Sequence, residues 1–168
     1  YFRRAIPSFQ LFKEFIKKKK ILDINIYYSK NLMRNGCHFI DFVQYLFGKI
    51  TFCEYKKNIN KTIIKISNKK IIFNKLKTKN NINFLEINLE KKKIIIDRFS
   101  KIYEKNIITN NIKLLKKFKQ SRNEMNIYQK LSLDLFLKDY LYNKKKNIIA
   151  TEEQIIDTFK VLRKTNYN

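Results

Sequence analysis

The sequence predicts an α+β domain built on a mostly antiparallel open sheet of about six strands. Three observations predict it. Apolar residues recur at helical spacing near the start, after residue 36 and through the last third. Between Ile50 and about Asn106 the pattern changes to short β-rich runs. The linkers between these runs are too short for parallel crossovers, so neighbouring runs form an antiparallel meander.

In YFRRAIPSFQLFKEFIKKKK, Ser8 is positioned to cap a helix whose Phe9, Phe12, Phe15 and Ile16 share one face. Four lysines follow at its negative end. In ILDINIYYS, Leu22, Ile24, Ile26 and Tyr28 alternate with polar or aromatic partners, the pattern of a half-buried strand. A helix is expected from Gly36 to Phe47, with Gly48 closing it in a left-handed conformation. The runs ITFCEYK, KTIIKIS, KKIIFNKL, NINFLEINL, KKKIIIDRF and SKIYEKN then supply the meander, with polar clusters serving as turns where glycine is scarce. Imperfect alternation in Asn83–Leu89 suggests that part of the sheet is covered on both faces. Residues 126–143 are apolar on more than one side, as expected for a helix wedged between other elements. In TEEQIIDTFKVLRK, Thr151 and Gln154 have capping-box spacing, with Ile155, Ile156, Phe159 and Leu162 expected to be buried.

The chain has two Gly, two Ala, one Pro and no Trp, and its 32 Lys far outnumber its six Arg. An A+T-rich coding sequence accounts for that bias and for much of the net charge of +24. Short lysine runs at 17–20, 91–93 and 144–146 fall at helix ends and turns. Neither a basic arm nor an RNP-type aromatic motif accompanies them, so the charge does not by itself indicate a nucleic-acid partner. Cys37 and Cys53 make neither a CxxC pair nor a zinc site, and no metal is expected. Two such cysteines suit a reducing, cytoplasmic setting. Apolar runs stay well short of a membrane span. GxGxxG, P-loop, GxSxG and HExxH motifs are absent. Because the sequence opens on Tyr1 rather than Met, a fragment is one expectation.

Both glycines and the sole histidine lie in NGCHFIDFVQYLFG, residues 35–48. In the first turn of a helix, His38 meets the positive end of the dipole, which disfavours imidazolium and suits work on a hydroxyl or carbonyl. Asp41 and Tyr45 share its helix face. Equally, His38 is read as a core histidine satisfied by Asp41, and Gly36 as a plain turn residue. Arg3 and Arg4, the only adjacent arginines, are suited to a phosphate, a carboxylate or a surface salt bridge.

YFRRAIPSFQLFKEFI, ILDINIYYS, LMRNGCHFIDFVQYLFG, the run of strands and the closing TEEQIIDTFKVLRK together resemble the C-terminal half of Gfo/Idh/MocA NAD(P)-dependent oxidoreductases. Gly36, His38, Asp41 and Gly48 match the family's G-x-H-x-x-D…G pattern. The resemblance implies that residues 1–168 form one substrate-binding and oligomerisation domain, dihydrodipicolinate-reductase-like, with helices on one face of its sheet. A dinucleotide-binding domain would precede it, carrying the catalytic lysine and most of the NAD or NADP site. The implied reaction is hydride transfer with a sugar or sugar nucleotide, in an enzyme that oligomerises through the sheet. His38 would be catalytic, and Arg3, Arg4, Asn35 and Asp41 would bind substrate. Arg34 departs from the pattern, because many members carry Asp four residues before this histidine. The alternatives are a non-catalytic basic module binding protein or nucleic acid, and the remnant of a broken gene.

Overall fold

The computed structural model describes residues 2–29, 32–118, 122–142 and 150–166, with the side chains of residues 2, 3, 34, 35, 122–127 and 166 left undescribed. After a 3-10 turn at Phe2–Ala5, helix α1 spans Pro7–Lys17. Strand β1 is Asp23–Tyr28, a π turn occupies Leu32–Gly36, and α2 runs Cys37–Phe47. Then come β2 Ile50–Lys56, β3 Lys61–Ile66, β4 Lys69–Lys75, β5 Asn83–Asn88, β6 Lys92–Asp97, β7 Lys101–Asn106 and β8 Ile112–Leu114. Two helices finish the chain, α3 Arg122–Tyr142 and α4 Glu152–Asn166.

The eight strands among the described residues form one sheet in the order β2-β3-β4-β1-β5-β6-β7-β8. The expected α+β class and the mostly antiparallel sheet are both present. The meander, however, is split in two, because β1 lies parallel to β4 and antiparallel to β5. Ile26 therefore stands between Phe73 and Leu85. The link from β4 to β5 crosses the end of β1, where Leu76 N–H donates to Tyr28 O and Ser29 N–H donates to Ile82 O. The three residues of β8 are too few to show a period in the sequence.

One sheet face is a layer of Ile, Leu and Phe, including Ile24, Ile26, Ile64, Phe73, Leu85 and Ile94, and it joins side chains of α1, α2 and α4 in a single core. Each of these fully buried side chains contributes about 1.5–3 kcal/mol in transfer terms. The opposite face is half-exposed rather than covered. There Tyr27 and Phe84 shield each other by stacking, with centroids 4.7 Å apart, which explains the imperfect alternation in β5. Leu22 lies ahead of β1 and is exposed.

Two helix readings are corrected. Ser8 does not cap α1. The cap position is Ile6, and Pro7 opens the helix, where its fixed φ and missing N–H cost nothing. In α4, Ile156 and Phe159 are 45% and 55% exposed, whereas Asp157, Thr158, Val161 and Leu162 face inward. The surface that α4 meets on α2 is partly polar, so Thr158 is buried ahead of the apolar residues beside it. A third reading fails at α3, whose residues 133–142 are mainly exposed rather than wedged.

Turns use ordinary residues in a left-handed conformation. Asn60, Ser67, Arg98, Phe99 and Asn110 all have φ between 45° and 58°. Asn tolerates that region readily, and the others are held there by the surrounding strands. Among the described residues no helix is long and apolar enough to cross a membrane.

Candidate functional site

The helix carrying the histidine is buried from Phe39 to Leu46, polar residues included. Gly36 keeps an ordinary helical φ of −78° where the π turn passes into α2. A Cβ there would run into the side chain of Leu32, a core residue that would have to shift to admit it. Gly48 ends α2 with φ 105° and ψ −157°, an extended conformation open essentially to glycine alone rather than the expected left-handed helical one. Both glycines are thus committed to shaping α2, and neither builds the glycine-rich turn that cradles a pyrophosphate.

His38 occupies the first turn of α2 and is half-buried. One turn later, Asp41 meets Arg4 from the 3-10 turn, with Arg4 Nη2 2.5 Å from Asp41 Oδ1. The same nitrogen donates to the Asp41 carbonyl at 3.1 Å, and Nη1 donates to Gln154 Oε1 at 2.6 Å. Arg4 is 2% exposed, and its Nε has no hydrogen-bond partner among the described residues. One guanidinium therefore ties the chain's first turn to α2 and α4. Burial holds the Asp41 carboxyl above its usual range even though Arg4 pulls it down.

The α2–α4 seam continues this polar contact. Gln44 Nε2 donates to Thr158 Oγ1 at 2.8 Å and to the Gln154 carbonyl at 3.1 Å. Thr151 and Gln154 form the expected capping box, with N–H to side-chain oxygen distances of 3.2 and 3.3 Å in the two directions. The Gln154 amide oxygen thus serves Arg4 and the helix start together.

Where α1, α2 and α4 converge there is a cleft of about 310 Å³, bordered by Arg4, Lys13, Gln44, Tyr45, Thr151 and Gln154. The Tyr45 ring has the Arg4 guanidinium 5.6 Å from its centroid and the Lys13 ammonium at 4.1 Å. Burial pushes the Tyr45 hydroxyl up to about 12. Lys13 is lowered by burial first, then by repulsion from Lys17 and Arg4. Such a cleft suits an anionic group, whose charge would relieve that repulsion.

The structure brings Arg4 and Asp41 into direct contact. His38 stands one turn from that pair and does not line the cleft. The side chains of Arg3, Asn35 and Arg34 lie outside the described residues. Sequence reasoning missed Gln44, Thr158 and Lys13. A glutamine inside the apolar run Phe39–Phe47 was the available signal, since a buried amide demands partners.

No family model matches the sequence, and no curated protein matches it. Solved structures do match. A dehydrogenase (MviM) from Clostridium difficile is 19% identical, with a TM-score of 0.61 over 97% of this chain and 59% of its own. UDP-N-acetylglucosamine 3-dehydrogenase GnnA from Acidithiobacillus ferrooxidans is 8% identical, with a TM-score of 0.60 over 97% of this chain and 59% of its own. KijD10, a 3-ketoreductase from Actinomadura kijaniata in complex with NADP, is 9% identical, with a TM-score of 0.56 over 98% of this chain and 56% of its own. The chain therefore spans a little under three-fifths of these proteins. The likeness shows the fold alone, an α+β arrangement that these oxidoreductases share.

Proposed function

We propose that residues 1–168 form the substrate-binding and oligomerisation part of a cytoplasmic oxidoreductase. The reaction moves a hydride between NAD or NADP and a hydroxyl- or carbonyl-bearing carbon of a sugar or sugar nucleotide. One observation carries the reading: Gly36-Cys37-His38-Phe39-Ile40-Asp41 opens α2 within a fold shared with a sugar-nucleotide dehydrogenase and an NADP-bound ketoreductase.

When bound, the nicotinamide supplies or accepts the hydride. His38, half-buried at the helix start, moves the matching proton at the substrate oxygen or orients that oxygen. Arg4 contributes positive charge one helical turn from His38, and Asp41 acts through Arg4 by fixing the guanidinium. Arg3 and Asn35 complete the proposed substrate contacts by their position in the sequence. The reading assigns the cofactor phosphates to a dinucleotide-binding domain preceding these residues, and the use of both glycines in shaping α2 supports that division. The half-exposed sheet face, with Tyr27, Ile72, Phe84 and Ile95, is the proposed oligomer contact.

The test begins with the coding DNA upstream of Tyr1, where an in-frame strand, glycine-rich turn and helix are expected. In the longer protein, His38→Asn is expected to lower kcat on a sugar nucleotide by about 10²–10⁴-fold, the usual contribution of a positioned acid/base. The 168-residue chain alone is expected to show no saturable NADH fluorescence change. Micromolar binding by that chain would overturn the division of labour, and an unchanged kcat would remove His38 from the chemistry.

A further inference from the structure

The cleft between α1, α2 and α4 lies toward the C-terminal end of α2, whereas His38 opens that helix. The function proposed above leaves it unassigned. At about 310 Å³ it reaches the size of a small-molecule site. Gly48 leaves its wall open, because no atom lies within 4 Å of the Cβ that this residue lacks.

Charge balance narrows what the cleft can take. Three cations border it, Arg4, Lys13 and Lys17, and two of them are already neutralised. Asp41 pairs with Arg4 at 2.5 Å, and Glu14 pairs with Lys17 at 2.8 Å. Lys13 forms no ion pair among the described residues, and Glu14 acts on it only weakly, behind the repulsion of Lys17 and Arg4. Its ammonium stands over the Tyr45 ring, 4.1 Å from the centroid. One half-buried positive charge is thus left over, which matches a ligand with one negative charge.

Hydrogen-bonding groups point the same way. Tyr45 and Thr151 border the cleft with hydroxyls that can donate, Thr151 Oγ1 itself accepting from the Gln154 N–H. Two atoms of cleft residues also lack partners among the described residues: Arg4 Nε and Gln44 Oε1, in residues 2% and 1% exposed. Buried polar atoms are normally satisfied, so an orphaned donor and an orphaned acceptor side by side in one wall call for an occupant. Arg4 Nε can donate to a carboxylate oxygen, and Gln44 Oε1 can accept from a hydroxyl on the same molecule. Leu46 and Phe47 supply apolar surface beside them.

We propose that the cleft binds a small hydroxylated carboxylate, its negative charge against Lys13 and its body against Leu46 and Phe47, as a site separate from the one at His38.

The test titrates the 168-residue chain with mandelate and with lactate, following the Gln44 side-chain amide and the Gly48 backbone amide by NMR. Ionic strength is held at about 0.15 M, so that screening of this basic chain does not pass for binding. Saturable shifts are expected at both groups with mandelate and none with uncharged mandelamide. Lys13→Gln should weaken binding roughly tenfold or more, as for loss of one charge-assisted hydrogen bond. Lys13→Arg should retain it, and so should Lys70→Gln, which removes an exposed lysine elsewhere. His38→Asn should leave it unchanged, so this site and the hydride-transfer reading stand or fall separately. Equal shifts with mandelamide, or equal losses in Lys13→Gln and Lys70→Gln, would overturn the proposal. Inorganic phosphate binding as tightly as mandelate would overturn the carboxylate assignment, and no saturable shift with either acid would overturn the site itself.

Discussion

Helices α2 and α3 use similar material to opposite ends. Both are apolar on more than one side, yet α2 hides Asp41 and Gln44 while α3 turns Phe136 and Tyr140 toward solvent. Hydrophobicity along a helix does not decide what is buried; the neighbours do. In α2, Arg4, Gln154 and Thr158 make polar burial affordable by giving most of the buried donors and acceptors a partner. In α3, no described element faces the side bearing Phe136 and Tyr140, so its apolar surface stays in water.

Breaking the buried side of this contrast is expected to have the largest effect. Arg4→Met should cost about 3–5 kcal/mol in urea unfolding, because it leaves Asp41 buried beside no cation. Arg4→Met with Asp41→Leu should cost much less, since no lone charge remains. A single-variant loss as small as that of the double would mean that the ion pair does not hold α2 in place.

Next in size are the ends of α2. Gly48→Ala should cost about 1–3 kcal/mol from backbone strain alone. Gly36→Ala should cost about 1–3 kcal/mol from overpacking against Leu32. Adding Leu32→Ala should make the Gly36→Ala change better tolerated and leave the Gly48→Ala loss untouched. Similar behaviour at both positions would refute the separate causes.

Alkaline titration probes the same buried side more gently. Burial raises Tyr28 and Tyr45 to about 12 in the folded protein, from an ordinary value of 10.0. Their contribution to stability is therefore fully present below pH 10 and is lost as pH rises from about 10 toward about 12. Tyr45→Phe should flatten part of that fall in denaturation measured between pH 9 and 12. An unchanged slope would show that Tyr45 ionises as freely folded as unfolded.

The smallest expected effect lies on α3. In the 168-residue chain, Phe136→Ser or Tyr140→Ser should change stability by no more than about 0.5 kcal/mol, as for other surface substitutions. Either should still reduce binding of a dye that reports exposed apolar surface. A loss of several kcal/mol would mean that these residues already pack against this chain.

Most elements were legible because alternation and helical spacing are local. Ile24 and Ile26 in β1, and Phe9, Phe12 and Ile16 in α1, are buried as their spacing indicates. The place of β1 between β4 and β5 was not legible, since short turns advertise only the pairing of successive strands. The inward face of α4 was misread because Thr158 is drawn in by Gln44, a partner more than a hundred positions away. At the candidate site, the contact between Arg4 and Asp41 joins two motifs read separately, and Lys13 carried no mark among 32 lysines.

The position of β1 also bears on how the chain folds. Each arm of the sheet, β2-β3-β4 on one side and β5 to β8 on the other, closes through short turns and can form by itself. Only β1 joins them, and both of its partners lie far down the chain. Its insertion requires the long loop closures, so the slow step of folding is expected to be the capture of β1 between two preformed ribbons. Substitutions at Ile24 or Ile26 should slow refolding, whereas equally destabilising ones at Ile102 in β7 should mainly speed unfolding.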